Sequence, residues 1–241
     1  MIGTDTQTQK RPLYDMFTAV PRRYDLVNHL ITLGLDKRWR GKAARQCLSL
    51  KPKRILDLGC GTGDLAINLI RLAEYDIEVT GLDYSQPMLE IATKKAGTLS
   101  LKKPSFVQGD AANLPFPNGY FDCVGISFAF RNLTYKNPLA PRHLAEVLRV
   151  LSPDGRFVIV ETSQPKSKVI RQLFHLYLRG WVYRMGTLVS GNKGAYHYLS
   201  ESAARFFTTH ELEKFLLAAG FRQVSSRPLF FGAVNLCVAV K

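Results

Sequence analysis

Short apolar runs recur along the chain, and segments with helical spacing separate most of them. The clearest run carries apolar side chains at Ile55, Leu56 and Leu58. Further strand patterns lie at 78–82, 105–109, 121–127, 157–161, 223–228 and 235–241. Continuous apolar strands that alternate with helices are typical of a parallel sheet covered on both faces. The pattern therefore predicts an α/β fold with a seven-stranded, mostly parallel sheet, helices on both faces and an antiparallel edge.

Cap and turn residues predict where several helices begin and end. Ser85 is a predicted N-cap, and Thr208 or Thr209 caps a helix near the end of the chain. A further helix is predicted from Pro138 to Leu151. The turn signal Pro153-Asp154-Gly155 follows it and should separate it from the strand that begins at Phe157.

Two stretches have helical patterns without a strand. Residues 13–50 are broken at Pro21 and Gly34, and residues 166–203 are rich in large aromatic side chains. We expect the first to form an N-terminal helical cap over a ligand cleft and the second to form a helical insertion over the same site. Internal repeats and linkers are lacking, so the sequence predicts a single domain over residues 1–241.

A glycine loop directly follows the first strand. Gly59, Gly61 and Gly63 allow a sharp turn and a close approach of ligand to backbone. The dinucleotide-binding fingerprint requires a third glycine at position 64, where this chain has Asp64. A carboxylate at that helix N-terminus would repel a pyrophosphate, so the loop predicts a cationic or zwitterionic ligand.

Acidic residues stand at the ends of the next two strands. Asp83 is placed to accept hydrogen bonds from both hydroxyls of an adenosine ribose. Asp110, followed by Ala111, can accept one from an adenine amino group, and Ser127 ends the fourth strand on the same side. The glycine loop and the two carboxylates, in this order, resemble a class I methyltransferase that uses S-adenosyl-L-methionine as its cofactor.

The chain is strongly basic, with a net charge of +14 and a pI near 9.8. Residues 1–54 contain twelve Lys and Arg against four Asp, which is a surplus of +8. Such a segment attracts either nucleic acid or an anionic membrane surface.

The four cysteines suggest a reducing compartment. Cys47, Cys60, Cys123 and Cys237 are widely spread and form no CxxC pair, so neither a zinc site nor a disulfide framework is indicated. The histidines also lack metal-binding spacing, and no metal is expected. The N-terminus lacks an apolar signal segment, and no stretch of 18 apolar residues occurs. We therefore expect a cytoplasmic protein, peripheral at the inner face of the membrane where it docks.

Several longer strings resemble the UbiE/MenG/Coq5 family, the C-methyltransferases of menaquinone and ubiquinone biosynthesis, over about residues 14 to 235. The most diagnostic strings are Arg23-Tyr24-Asp25 with Asn28, Ser127-Phe128 with Arg131-Asn132, and Tyr196-x-Tyr198-Leu199-x-Glu201-Ser202. The resemblance implies the Rossmann-like class I fold and C-methylation of a polyprenylated demethylquinol, chiefly demethylmenaquinol. It places the cofactor contacts on Thr62, Asp83, Asp110, Ala111 and Ser127, beside the glycines of the loop.

The resemblance also implies the catalytic residues. Arg131 matches the arginine that the family uses to promote deprotonation of the quinol. Because a guanidinium has a pKa above about 12, we expect Arg131 to stabilise the phenolate or to polarise a water rather than to act as the base. Asn132 would orient it, and Tyr24 would hydrogen-bond the quinol from the helical cap.

The chain departs from the family pattern at a few positions. Asp110 stands where many members have Asn, Ala129-Phe130 replaces a Gly-Leu/Ile pair, and residues 162–165 replace a Phe-Ser-Lys-Pro segment. A histidine common near the C-terminus is missing from residues 232–237. These departures bear on the identity of the quinone more than on the reaction.

Rival interpretations remain open. The cofactor site would serve a methyltransferase acting on another lipophilic phenol or on a lipid, and the net charge of +14 would suit an RNA methyltransferase. The fourth strand lacks the Asn-Pro-Pro-Tyr-like motif of many RNA enzymes, so no nucleic-acid partner is expected. A cofactor-binding scaffold without activity is a third alternative, and a homodimer stays open.

Overall fold

A computed structural model describes the backbone of residues 21–99, 102–190 and 193–241, and the side chains of these residues except 21–24 and 190. The helices in chain order are α1 (Pro21–Ile31), α2 (Leu35–Leu48), α3 (Asp64–Leu72), α4 (Gln86–Ala96), α5 (Phe130–Thr134), α6 (Ala140–Val150), α7 (Lys168–Tyr177), α8 (Tyr183–Ser190), α9 (Lys193–Ala204) and α10 (Thr209–Ala218). The strands are β1 (Arg54–Leu58), β2 (Glu78–Asp83), β3 (Ser105–Gln108), β4 (Phe121–Ser127), β5 (Leu151–Thr162), β6 (Gln223–Leu229) and β7 (Val234–Val240). A π-helical turn, Leu178–Val182, joins α7 to α8, and a 3-10 turn, Phe230–Gly232, joins β6 to β7.

The strands form one seven-stranded sheet in the order β3-β2-β1-β4-β5-β7-β6. The pairs from β3 to β5 are parallel, and β7 is antiparallel to both of its neighbours. The antiparallel strand β7 is therefore the second strand from the edge of the sheet, and β6 is the edge strand. β7 is apolar and buried along most of its length, whereas β6 alternates with exposed residues and contains Pro228, which suits an edge strand.

The fifth strand begins earlier than predicted. Leu151 already pairs with Phe121, and Arg156 pairs with Cys123, so the residues between them bulge out of the ladder. The turn signal Pro153-Asp154-Gly155 forms this bulge, and Asp154 has a φ of 61°. The prediction that this turn separates the helix from the fifth strand was wrong. Because Leu151 pairs with β4, the strand begins before residues 153–155.

Helices cover both faces of the sheet. Leu144 of α6 and Leu216 of α10 pack into one buried cluster with Phe157 of β5. Ala43 of α2 and Leu69 of α3 pack into another on the other face. The predicted α/β fold with helices on both faces is confirmed.

Two helical segments add to this core. α1 packs on α8, and Val27 and Ile31 belong to a separate buried cluster that also contains Val182 and Tyr196. The Gly34 break predicted between the first helices is present, with Gly34 at a φ of 73°. No helix within the described ranges is both long and apolar enough to cross a membrane.

Helix caps differ in how far they follow prediction. Thr208 and Glu211 form the reciprocal hydrogen bonds of a capping box at α10, as the sequence predicted. Ser85 precedes α4 but its side chain makes no capping bond. The carboxylate of Asp83 instead accepts a hydrogen bond from the backbone N–H of Ser85, at 2.9 Å from Oδ1, just before the helix begins.

Candidate active site

The glycine loop connects β1 to α3 with three residues in the left-handed region. Gly59, Gly61 and Gly63 have φ values of 64°, 52° and 81°. A Cβ on Gly59 would lie 2.9 Å from the Cβ of Ala129, so the loop touches the segment that follows β4. A Cβ on Gly61 would have no atom within 4 Å, so its backbone faces open space. The loop therefore lies at the carboxyl ends of the strands, as predicted, and its backbone is open at Gly61.

Asp83 lies at the end of β2 and faces the glycine loop. Its Oδ2 accepts a hydrogen bond from the Gly61 N–H at 2.8 Å. Burial raises the pKa of Asp83 above its ordinary value, against hydrogen bonds from the backbone of Ser85, Gly61 and Tyr84 that lower it. The carboxylate is thereby fixed beside the loop with acceptor capacity left for a ligand.

The remaining strand-end residues lie along the same edge of the sheet. Asp110 follows β3, and its Oδ1 accepts the Ala112 N–H at 3.0 Å. Ala111 is half-buried beside it. Ser127 is the last residue of β4, is half-buried and pairs with Val160 of β5. The structure thus brings a set of predicted site residues together at the carboxyl ends of the parallel strands: the glycine loop, Asp83, Asp110, Ala111 and Ser127.

Thr62 lies in an ionic cluster that the sequence did not predict. Its hydroxyl donates to Asp25 of α1 at 2.7 Å. Lys95 of α4 bonds to Asp25 at 2.9 Å, to Thr62 at 3.2 Å and to Asp64 at 2.5 Å. Lys95 therefore connects α4 to α1, to the glycine loop and to α3.

Asp64 also lies 3.6 Å from Arg40, which forms an ion pair with the buried Asp36. Its charge is therefore balanced by Lys95 and Arg40. The expectation that Asp64 would repel an anionic ligand treated it as a free carboxylate, and that premise was wrong. The Arg40 guanidinium additionally stacks over Phe128, just after β4, at 5.3 Å from the ring centroid.

A cavity of about 440 Å³ opens beside this ionic cluster, between α1, α2, α3 and α4. Asp25, Arg40, Asp64 and Lys95 line it, together with the exposed Arg71. The strand-end acids Asp83 and Asp110 are not among its lining residues, so it lies apart from the open edge at the glycine loop.

Asp57 of β1 is buried beneath the loop. Its Oδ2 accepts the Ala66 N–H at 2.9 Å, and its Oδ1 has no hydrogen-bond partner among the described residues. Burial raises the pKa of Asp57 to about 7, while the Ala66 hydrogen bond and the Arg40 charge act to lower it. The buried carboxyl of Asp57 therefore keeps its proton to a higher pH than an ordinary aspartate does.

Arg131 is buried in α5 and forms an ion pair with Glu161 at the end of β5. Its Nη1 donates to Glu161 Oε1 at 2.8 Å and to Thr162 Oγ1 at 2.9 Å. Its backbone N–H also donates to Glu161 Oε2, at 3.1 Å. Only 4% of the Arg131 side chain and 1% of the Glu161 side chain are exposed, so each charge depends on the other.

Four buried polar atoms near this pair have no hydrogen-bond partner among the described residues. They are Nε of Arg131, Oδ1 of Asn132 and the hydroxyl oxygens of Tyr135 and Tyr198. The Tyr135 and Tyr198 rings lie 6.4 Å apart. The charges of Arg131 and Glu161 reach the Tyr198 hydroxyl, whose pKa is raised mainly by burial. Buried polar groups are normally hydrogen-bonded, so this group is suited to a ligand that carries oxygen atoms.

The sequence predicted part of this arrangement. Arg131 and Asn132 were singled out, and both lie in α5, beside the end of β5. Glu161 was treated only as the end of a strand, although an acidic residue at the end of a parallel strand could have indicated its role. Tyr135 was missed, and Tyr198 was noted only as part of an aromatic insertion. The predicted role of the Tyr24 side chain lies outside the described residues.

Residues of the helical insertion are anchored to the sheet beside Arg131. Gln164 follows β5; its Nε2 donates to the Ala203 carbonyl of α9 at 2.7 Å, and its Oε1 lies 2.8 Å from His175 Nε2 of α7. These bonds connect the end of β5 to α7 and to α9, the helix that carries Tyr198. Over the described ranges, no group of three His, Cys, Asp or Glu side chains is arranged to hold a metal ion.

The fold and the strand-end site define a class I, Rossmann-like methyltransferase. Solved structures with this fold include a SAM-dependent methyltransferase from Aquifex aeolicus, with a TM-score of 0.54, 18% identity and coverage of 78% of this chain and 81% of that one. Human N-acetylserotonin methyltransferase, solved in complex with SAM, matches with a TM-score of 0.62, 19% identity and coverage of 96% of this chain and 60% of that one.

More specifically, this chain belongs to the ubiE/COQ5 methyltransferase family, whose profile matches residues 4–241. A demethylmenaquinone methyltransferase of Deinococcus radiodurans is 40% identical over 237 residues, 98% of this chain and 95% of that protein. The enzyme of the same name from Thermus thermophilus is 42% identical over 223 residues, 92% of this chain and 98% of that protein. The resemblance noted from the short strings is confirmed over nearly the full length.

Proposed function

We propose that this protein transfers a methyl group from S-adenosyl-L-methionine to a ring carbon of a polyprenylated demethylquinol, with demethylmenaquinol as the acceptor. The observation that carries the proposal is the buried Arg131–Glu161 pair, flanked by unpartnered oxygen and nitrogen atoms, next to the glycine loop. The names of the relatives from Deinococcus radiodurans and Thermus thermophilus support this acceptor.

The residues at the strand ends fit the cofactor. The open backbone at Gly61 suits a ligand that lies against the loop, and the fixed carboxylate of Asp83 suits the two hydroxyls of a ribose. We assign the adenine contacts to Asp110 and Ala111, and further contacts to Gly59, Gly63, Thr62 and Ser127. The hydroxyl of Thr62 is engaged by Asp25, so its contact would come through the backbone unless that bond opens. When bound, the cofactor supplies an electrophilic methyl group.

The acceptor residues would hold the quinol and favour loss of its hydroxyl proton. Glu161 accepts from Nη1 and from the backbone N–H of Arg131, so the guanidinium stays charged and fixed in orientation. Its Nε–H is then available to donate to a phenolate oxygen, which stabilises the charge that makes the ring carbon nucleophilic. A guanidinium remains protonated in proteins, so Arg131 acts as a donor and the hydroxyl proton passes to water. After the methyl group has left the sulfonium sulfur for the ring carbon, that carbon loses its own proton and the oxygen regains one, so one proton is released overall.

Asn132 and two tyrosines would position the ring. Oδ1 of Asn132 can accept from the second quinol hydroxyl, and the hydroxyl groups of Tyr135 and Tyr198 can donate to or accept from either oxygen. The raised pKa of Tyr198 keeps it neutral at physiological pH. We retain Tyr24 as a further contact from α1. Correct alignment of the ring carbon with the methyl group can supply several kcal/mol of the rate enhancement.

A polyprenyl quinol resides in the lipid bilayer. We therefore propose that the protein works as a peripheral protein at the inner face of the membrane, attracted by its positive charge. Another lipophilic phenol remains the alternative acceptor, since it would use the same polar atoms around Arg131.

The test is incubation with labelled S-adenosyl-L-methionine and a short-chain demethylmenaquinol, followed by mass spectrometry of the quinone. We expect one methyl group to be added to the ring. Transfer to the hydroxyl oxygen, or transfer to other phenols at an equal rate, would contradict the proposed acceptor. Failure to bind the cofactor in calorimetry would contradict the proposal as a whole.

A further inference from the structure

The outer surface of the helical insertion carries a line of exposed apolar side chains. They are Val169, Leu173, Leu176, Trp181 and Leu188, which we call the apolar stripe. None of the residues in α7 is fully buried. Leu173 and Leu176 are 61% and 68% exposed. Single exposed leucines are common, but a contiguous row of them marks an interaction surface.

The π-helical turn keeps this row on one side of the helix. From Val169 to Leu173 and from Leu173 to Leu176 the spacing is that of an α-helix, whereas the step from Leu176 to Trp181 is longer by one or two residues. That longer step falls in the turn Leu178–Val182, where the wider π geometry accommodates an additional residue. The turn therefore places Trp181, and beyond it Leu188, in line with the stripe.

A strained aromatic turn lies beside the start of this helix. Phe230 and Phe231 are 52% and 77% exposed, and both have positive φ values, 44° and 55°. The backbone of the following Gly232 is so close to Pro165 that an added Cβ would lie 3.3 Å from the Cα of Pro165. The turn therefore lies next to the start of the helical insertion. Large aromatic residues are rare in this backbone conformation, and such strain is commonly found at functional sites.

Charge identifies the partner. No Asp or Glu occurs between Glu161 and Glu201, whereas this interval contains six Lys and Arg. Lys166, Lys168, Arg179 and Arg184 are exposed, and none of them forms an ion pair within the described ranges. Apolar and aromatic side chains surrounded by cations, without acids, are typical of a helix that lies in the interface of an anionic bilayer.

We propose that the apolar stripe, together with Phe230 and Phe231, is a docking surface for an anionic phospholipid bilayer. The stripe enters the acyl boundary, and the surrounding cations contact the lipid headgroups. This assigns docking to the helical insertion instead of the basic N-terminal third. Gln164 and His175 link α7 to α9, so the surface is joined to the helix that carries Tyr198.

The test uses the full chain and two kinds of vesicle, phosphatidylcholine alone and phosphatidylcholine mixed with phosphatidylglycerol. We expect binding to the mixed vesicles that salt weakens. The double variant Leu173→Glu/Leu176→Glu should bind about tenfold or more weakly, because two apolar side chains no longer enter the acyl boundary and two carboxylates face anionic headgroups. The matched control is Leu50→Glu, because Leu50 is 63% exposed and lies before β1, and it should bind as the unaltered protein does.

Three results would overturn the proposal. One is equal binding by the double variant and the unaltered chain. Another is loss of vesicle binding in Arg38→Gln/Lys42→Gln, which changes the exposed face of α2, combined with normal binding by Leu173→Glu/Leu176→Glu. Docking would then belong to the N-terminal third. The third is a dimer that the double variant dissociates, with no vesicle binding by either, because a second copy would then cover the stripe.

This proposal rests on the proposed function only for its biological purpose. Calorimetric binding of S-adenosyl-L-methionine and turnover of a short-chain quinol in solution should be unchanged in Leu173→Glu/Leu176→Glu. If vesicle binding fails while these two measurements succeed, only the docking surface is contradicted. If they fail in the unaltered chain, the proposed function is contradicted whatever the vesicles show.

Discussion

The proposed cofactor side and the proposed acceptor side of this site are built differently. On the proposed cofactor side, a local strand–turn–helix segment supplies the glycine loop, and Asp83 is already hydrogen-bonded to it. On the proposed acceptor side, Arg131, Glu161 and Tyr198 come from distant parts of the chain, and four buried polar atoms have no partner among the described residues. A preformed loop can bind a common cofactor, whereas unpartnered buried groups select the substrate that satisfies them.

The largest expected effect tests the ion pair on the acceptor side. Arg131→Ala should reduce turnover by about 10³-fold, because the phenolate loses its charged donor. It should also lower the free energy of unfolding by about 3–5 kcal/mol, because Glu161 is left buried and unpaired. Initial rates and urea unfolding measure the two quantities.

The control for that variant is the double change Arg131→Met/Glu161→Gln. It removes both charges, so it should regain much of the lost stability while turnover stays low. Cofactor affinity should be close to that of the unaltered protein in both variants. An active double variant would remove Arg131 from the mechanism and reduce the pair to a structural role.

The next effect tests the cofactor side. Asp83→Asn keeps the shape of the side chain but removes its charge and half of its acceptor capacity. Affinity for S-adenosyl-L-methionine should fall by about 10- to 100-fold, which corresponds to one or two hydrogen bonds to a charged group. Calorimetry measures it, with Asp76→Asn as the exposed control. Equal affinities in the two variants would place the ribose elsewhere.

A smaller effect separates function from stability on the acceptor side. Tyr198→Phe removes a buried hydroxyl that has no partner, so the free protein should be more stable by about 1 kcal/mol. Turnover should nevertheless fall about tenfold, if the hydroxyl positions the quinol. Tyr75→Phe is the matched control, because the Tyr75 hydroxyl is also buried without a partner but lies near Cys123 at the start of β4. We expect a similar gain in stability there and unchanged turnover; reduced activity in both variants would argue against a specific role for Tyr198.

The last effect is on stability rather than on turnover, and it concerns Asp57, the buried carboxyl beneath the glycine loop. Its pKa is raised from 3.8 to about 7 in the folded state, so the folded protein binds this proton more tightly than the unfolded chain does. Its contribution to stability is therefore complete below about pH 4 and is lost as the pH rises toward 7, at up to about 1.4 kcal/mol per pH unit. Chemical denaturation between pH 4.5 and 7, compared with Asp57→Asn, measures it. The same pH dependence in the variant would assign the effect to another group.

Prediction from the sequence succeeded where local geometry controls the outcome. The glycine loop, Asp83 and Asp110 follow directly from strands and turns, and the capping box at Thr208 is likewise local. Prediction failed at the turn near Asp154, and it did not foresee the ion pairs of Asp64. Lys95 and Arg40 compensate Asp64 from other helices, and the pairing of Leu151 with β4 draws the turn into the strand.

The sequence by itself determined the α/β fold, the family and the position of the cofactor loop. The fold and the loop depend on periodicity and on spacing within short segments, which the backbone geometry of strands, turns and helices sets, whereas the family follows from the short strings that resemble it. Only the tertiary structure decided that Glu161 holds Arg131 and that Tyr135 and Tyr198 meet beside it. These features require side chains from distant segments to converge, and that convergence depends on the pairing of β4 with β5 and on the hydrogen bond of Gln164 to α9.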